Sequence, residues 1–303
     1  MHLPDPEAAV RADGPWTHRD VAANGARFHI AELGEGPAVL LLHGFPTFWW
    51  TWRDQLVALA AAGYRAIAMD LRGYGGSDHP PHGYDPRTMS ADATAVLRSL
   101  GESSAIVIGH GWGGMAAWTM AVLEPDLVTR IGVLACPHPR RMRRALMSDR
   151  RQRAAMRYVW GLQPPFAPER SLTADDGERV AVLLRAWSHD DTWLDSATEA
   201  RYRAAFLRWP TAHTAIEYHR WAVRSAFRGD GRSYMALMEA PIVRDVLVLR
   251  GEHDPMVLAS TYDGGAEYVR GGYDEVVLPA GHFVHEERPA EVSAVLTDWL
   301  AHR

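Results

Sequence analysis

The chain contains no lysine: every one of its 32 basic residues is arginine. With no side-chain primary amine, Schiff-base catalysis and covalent attachment of pyridoxal phosphate are excluded. Cysteine is almost absent too. Cys136 stands alone, so neither an intrachain disulfide nor a multi-cysteine metal site is possible. Its place at the end of the run VLAC (133–136) assigns it to core packing. No apolar run approaches the roughly 20 residues of a membrane span. The opening MHLPDPEAAVRADG has acids and prolines where a secretory signal has an apolar stretch. The expectation is a cytoplasmic protein without a membrane partner. Charge of either sign is not in excess, with a formal net charge of −5, so no affinity for polyanions is implied. One dense basic stretch exists, eight arginines from Arg140 to Arg157. No aromatic pattern accompanies it, and it reads as a solvated helix face, not as a nucleic-acid site.

What is present is a globular α/β pattern. The 303 residues, 47% of them hydrophobic, suffice for one large domain with an insertion. Short apolar runs alternate with helical periodicity, the signature of βαβ units and a mostly parallel sheet. Strands are predicted at 38–43, 65–70, 104–109, 131–135, 245–251 and 274–279. Helices are predicted at 52–62, before Gly101, at 112–123 and at 289–302. Residues 1–15 read as a loose lead-in. From 137 to 235 the texture changes to Arg, Trp and helical periodicity, with a proline break at PPFAP (164–168) and no strand-like alternation. The predicted organisation is therefore a discontinuous α/β core, 1–136 and 236–303, around a helical cap, 137–235. Ligand sites in such sheets lie at the carboxyl ends of the strands.

The most telling absence lies in Gly109-His110-Gly111-Trp112-Gly113-Gly114. The strand at 104–109 runs into the helix at 112–123 through a small-x-nucleophile-x-small elbow, where Ser, Cys or Asp is expected at the centre. Gly111 stands there, with no side chain to attack anything.

The segments HGFP (43–46), DLRGYGGSD (70–78), GHGWGG (109–114), GEHDP (251–255) and GHFVHEERP (281–289), in that order, resemble the epoxide hydrolase branch of the α/β-hydrolase family, to which haloalkane and fluoroacetate dehalogenases are related. The similarity spans about residues 16–302. It implies an α/β-hydrolase fold, a mostly parallel sheet flanked by helices with an inserted helical cap. It also implies that Asp254 orients His282, which acts as general base, and that the backbone N–H groups of Phe45 and Trp112 form an oxyanion hole. Backbone donors survive the loss of a nucleophile's side chain. Epoxide hydrolases carry two lid tyrosines that act as acid when the ring opens. Tyr158, in RYVWGLQPP with Gln163 before a proline, matches the first. Tyr218, in AIEYHRW, resembles the second, although family members often have Arg directly after that tyrosine, and here His219 intervenes before Arg220. The tryptophans 160, 187, 193, 209 and 221 line a pocket or pack the lid helices. His285 and the two glutamates after it read as helix-entry and surface residues. His282 and His285 lack a third ligand, so neither a metal nor a cofactor is expected.

In the family's reaction an aspartate at the elbow attacks the epoxide and forms an ester that activated water then hydrolyses. Glycine closes that route. The first of three readings is non-covalent ring opening: His282 with Asp254 acts as base on water or on a substrate hydroxyl, while Tyr158 and Tyr218 activate a small apolar or polycyclic epoxide. The second is a nucleophile-deleted variant of an ordinary epoxide hydrolase. The third is a ligand-binding module on a retired enzyme scaffold, which would not need the histidine, its acid and both tyrosines.

Overall fold

The computed structural model describes residues 3–302. Eight strands form one sheet: β1 (Thr17–Ala23), β2 (Ala26–Leu33), β3 (Ala38–Leu42), β4 (Arg65–Met69), β5 (Ala105–His110), β6 (Val128–Leu134), β7 (Asp245–Gly251) and β8 (Tyr273–Leu278), in the spatial order β1-β2-β4-β3-β5-β6-β7-β8. From β4 through β8 every pairing is parallel. The central strands read as unbroken apolar runs because helices cover both faces, and β3 and β5 are buried along their whole length. Residues 17–33, which the sequence pattern leaves unassigned, form an antiparallel hairpin, β1 with β2. Its turn is Asn24-Gly25, both at positive φ, the conformation that two-residue hairpin turns require.

Of the predicted lead-in, residues 1 and 2 lie outside the described residues, and the rest is not loose. It forms α1 (Pro6–Val10), capped by the Asp5 side chain, which accepts from the N–H groups of Glu7 and Ala8. Ala9 and Val10 are buried. The Val10 carbonyl accepts from Trp49 Nε1 at 2.7 Å, and Arg11 grips Asp20 at 2.8 Å. A proline-led helix of one turn has too few residues to show a 3.6-residue period, so the sequence pattern misses it.

The core helices are α2 (Arg53–Ala61), α3 (Pro86–Ser99) and α4 (Trp112–Leu123). Between β6 and β7 the chain forms helices joined by loops, with one isolated β-bridge from Ile242 to Val269: α5 (Pro139–Ser148), α6 (Arg150–Ala155), α7 (Tyr158–Gly161), α8 (Ala167–Thr173), α9 (Glu178–Trp187), α10 (Ser196–Leu207), α11 (Thr211–Ser225) and α12 (Gly229–Leu237). After β8 come α13 (Val284–Glu287) and α14 (Pro289–Ala301). No helix among the described residues is long and apolar enough to cross a membrane.

Parallel register brings the functional loops to one edge. Leu42 pairs with Met69 on one side and Gly109 on the other, and His110 pairs with Leu134. The segments that follow these strands therefore open on the same side. Asp70 builds the loop after β4: buried, it accepts from Trp49 N at 2.8 Å, Gly76 N at 2.9 Å and His29 Nδ1 at 2.7 Å. Burial alone would raise its pKa. The His29 hydrogen bond and the neighbouring histidines more than offset this and hold it below the usual carboxylate range.

Candidate active site

The elbow between β5 and α4 is built on glycines in close approach. A Cβ at Gly109 would lie 2.2 Å from Gly113 O, and one at Gly113 would lie 2.1 Å from Leu42 O. Helix, elbow and β3 touch backbone to backbone, so these positions admit no side chain. Gly111 differs. It is the N-cap of α4 with φ 52° and ψ −114°, a backbone that L-residues rarely adopt. A Cβ built on it meets only Gly44 Cα at 3.7 Å and His282 Nε2 at 4.0 Å. The strained backbone of a nucleophile elbow is kept, and the room for a side chain is kept with it.

His282 lies on the loop between β8 and α13, and Asp254 on the loop after β7. Asp254 Oδ2 accepts from His282 Nδ1 at 2.9 Å, while its Oδ1 accepts from Met256 N at 2.7 Å and Val257 N at 3.0 Å. With its Nδ1 proton held by the carboxylate, a neutral His282 presents the lone pair of Nε2 toward Gly111. The His282 backbone is fixed as well. Its carbonyl accepts from His110 Nε2 at 3.0 Å, and its N–H donates to Trp187 O at 2.8 Å.

The N–H groups of Phe45 and Trp112 flank Gly111, and among the described residues neither donates to a protein acceptor. Trp112 opens α4, so its N–H has no intrahelical partner and adds the positive end of the helix dipole.

Above this floor lies an apolar cavity of about 170 Å³, whose walls include Gly111, His282, Met115, Tyr158, Trp187 and His219. An adjoining compartment of about 340 Å³ shares Phe45 and Tyr158 with it and extends under α8 and α9 to Arg179. Tyr158 packs edge-on against Trp187, ring centroids 4.9 Å apart. Burial first, and the Asp254 charge second, push its phenol well up, so it stays protonated as a hydrogen-bond donor. Gln163 Nε2 donates to Val159 O at 2.9 Å and His219 O at 3.3 Å, tying α7 to α11. Arg220 reinforces the tie through Pro164 O at 2.7 Å and Leu162 O at 3.2 Å.

Tyr218 is not part of this site. Its side chain is fully buried and its hydroxyl donates to Arg72 O at 2.7 Å. Successive residues on a helix point about 100° apart, and His219 is the neighbour that faces the cavity. The signal was in the sequence: His219 is the residue directly followed by arginine. His219 Nδ1 donates to Ala215 O at 3.2 Å, and Nε2 accepts from Trp112 Nε1 at 3.3 Å. Burial lowers its pKa to about 4. It is thus a neutral imidazole with its one N–H engaged, which cannot serve as the second acid. Of the lid tryptophans, Trp187 lines the cavity, whereas Trp160 and Trp209 are exposed.

His285, Glu286 and Glu287 are not surface residues either; all three are buried. Glu286 accepts from Thr51 Oγ1 at 2.8 Å, Arg53 and Tyr202, and His285 meets Thr51 at 2.8 Å. Glu287 accepts from the N–H groups of Gly281 at 3.0 Å, His189 at 2.9 Å and Asp190 at 3.0 Å, clamping the histidine loop to the segment after α9. Acids whose partners are backbone N–H groups leave no mark in a sequence pattern. Glu287→Ala strands those donors and is expected to destabilise the fold by about 3 kcal/mol, measured by chemical denaturation, as the His282 loop loosens. Among the described residues no cluster of His, Cys, Asp or Glu is arranged to hold a metal ion.

A parallel sheet with a glycine-walled elbow, a carboxylate-held histidine opposite it and two unengaged amides defines the α/β-hydrolase class. The family model described as alpha/beta hydrolase fold matches residues 37–289. The chain is 33% identical over 282 residues to epoxide hydrolase 3 of Xenopus tropicalis, covering 91% of this chain and 75% of that one. It is 30% identical to epoxide hydrolase A of Mycobacterium tuberculosis, covering 95% and 98%. The solved epoxide hydrolase from an endophytic Streptomyces superposes with a TM-score of 0.83 at 31% identity, over 95% and 96% of the two chains. The chain belongs to the α/β-hydrolase family, in its epoxide hydrolase-like branch.

Proposed function

We propose that the protein opens epoxides without a covalent enzyme intermediate. The observation that carries this is the pairing of Asp254-held His282 with Gly111: the imidazole Nε2 faces space where the family's reaction needs a carboxylate. In this reading, water held over Gly111 gives a proton to His282 Nε2 as its oxygen attacks an epoxide carbon. The C–O bond breaks, and its electron pair goes to the epoxide oxygen. Tyr158 donates a hydrogen bond to that oxygen as charge develops, and the imidazolium returns the proton. Epoxide plus water gives a diol. Tyr158 acts alone, because Tyr218 is committed elsewhere and His219 has no proton to give.

The apolar walls favour a small apolar or polycyclic epoxide, and residues 137–235 act as the cap that excludes bulk water. We place this activity in the cytoplasm, with the single thiol buried and unpaired. Turnover in ¹⁸O-labelled water tests the reaction. One labelled oxygen per diol is expected, already in a single turnover with enzyme in excess. Ring-opened product without label would replace hydration by attack of the substrate's own hydroxyl.

A further inference from the structure

The floor of the cavity has the properties of an anion site. Of the four elbow glycines, Gly111 alone has open room beyond its Cα: a Cβ at Gly109, Gly113 or Gly114 would have a neighbour within 2.6 Å, whereas at Gly111 the nearest is at 3.7 Å. Two backbone N–H groups and one imidazole nitrogen border that room. The N–H groups of Phe45 and Trp112 have no protein acceptor among the described residues, and Trp112 opens a helix of 12 residues. The third group is His282 Nε2, on a side chain 10% exposed, which accepts in the neutral ring and donates to an anion in the imidazolium form. It has no hydrogen-bond partner among the described residues and lies 4.0 Å from the built Cβ. None of the residues lining the cavity is an acid. Asp254 lies behind the imidazole, on its Nδ1 side, and His219 and Tyr158 are uncharged.

We infer that the space over Gly111 seats a small monovalent anion of formate or azide size, and that an anion held there opens a bound epoxide as an external nucleophile. The inference rests on the epoxide-opening reading for its electrophile, though not for the anion site itself. The seat favours a planar or linear anion of a few heavy atoms, because Gly44 and His282 bound it closely. Its apolar surroundings penalise a divalent, strongly hydrated one. With azide, a terminal nitrogen forms the new C–N bond as the C–O bond breaks. The electron pair passes to the epoxide oxygen, which takes a proton from His282 in its imidazolium form, giving a β-azido alcohol. With formate, the same attack gives a hydroxyalkyl formate ester. Water activated by His282 cleaves it to the diol and regenerates formate.

The test uses the full chain, a terminal aryl epoxide, and sodium azide, formate or sulfate. Quenching of tryptophan fluorescence, with Trp112 and Trp187 beside the seat, should saturate with azide and formate and not with sulfate. Azido alcohol, quantified by mass spectrometry, should form on the order of a hundredfold faster than with Gly111→Asp, whose own carboxylate fills the seat. Absence of saturable binding to the parent chain overturns the inference, and so does equal azide binding by Gly111→Asp. Diol formed without added anion is a separate product, so failure of the anion site and failure of direct hydration are told apart in one reaction. If the substituted chain does not fold, the contrast of azide and formate against sulfate on the parent protein still decides.

Discussion

Gly111→Asp is expected to hydrolyse terminal epoxides on the order of a thousandfold faster than the parent chain, through an ester on the introduced carboxylate. Loss of one member of a nucleophile–histidine–acid set costs several powers of ten, and the other members stand in place: His282 Nε2 faces the position, and Asp254 holds Nδ1 at 2.9 Å. The new Cβ has ordinary contacts at 3.7 Å and 4.0 Å, so sterics do not oppose it. The backbone does: a φ of 52° with ψ −114° suits glycine, and any side chain there stores about 2 kcal/mol of strain. A fall of a few degrees in melting temperature should accompany the gain. Gly111→Ala separates the two effects, showing the same fall and no gain. Mass spectrometry of the quenched variant should detect the enzyme plus one substrate mass. Absence of both the adduct and the rate gain would mean that the pocket no longer accepts epoxides in line with the elbow. The gain stops short of a fully equipped enzyme because His219 supplies no proton, and adding His219→Tyr should raise it further.

His282→Ala is expected to lower kcat by about 10²–10⁴-fold, the usual contribution of a general base, while an unreactive diol or amide ligand binds as before. Asp254→Asn should come close to it. The asparagine oxygen keeps the Met256 and Val257 N–H bonds, so its NH₂ faces His282 Nδ1, drives the proton to Nε2 and removes the base. Steady-state kinetics beside calorimetric binding decide the matter. Turnover that persists in His282→Ala would remove the imidazole from the mechanism. Binding without turnover in the parent chain would favour a ligand-binding module.

The central sheet was legible because strands buried on both faces must be apolar throughout, as AVLLL (38–42) and AIVIGH (105–110) are. The elbow was legible because the glycines around its centre, Gly109, Gly113 and Gly114, are sterically obligatory. Asp254 and His282 follow strands, and parallel register alone brings them together. The lid was harder to read. On an amphipathic helix a shift of one residue exchanges a cavity-facing side chain for a core-facing one, which is how Tyr218 stood in for His219. Glu287 and α1 left no periodic trace, one satisfied by backbone amides and the other a single turn long.

The hydrogen bonds that join residues 187–190 to the His282 segment, the His282 N–H donating to Trp187 O and the His189 and Asp190 N–H groups donating to Glu287, carry a consequence for traffic. If residues 137–235 swung away as a hinged cover, those bonds would pull on the His282 loop and break up its pairing with Asp254. The compartment beneath α8 and α9, which shares Tyr158 and Phe45 with the cavity, offers ligands a route from the flank that leaves those bonds intact. By that route the His282 loop would stay assembled while ligands come and go.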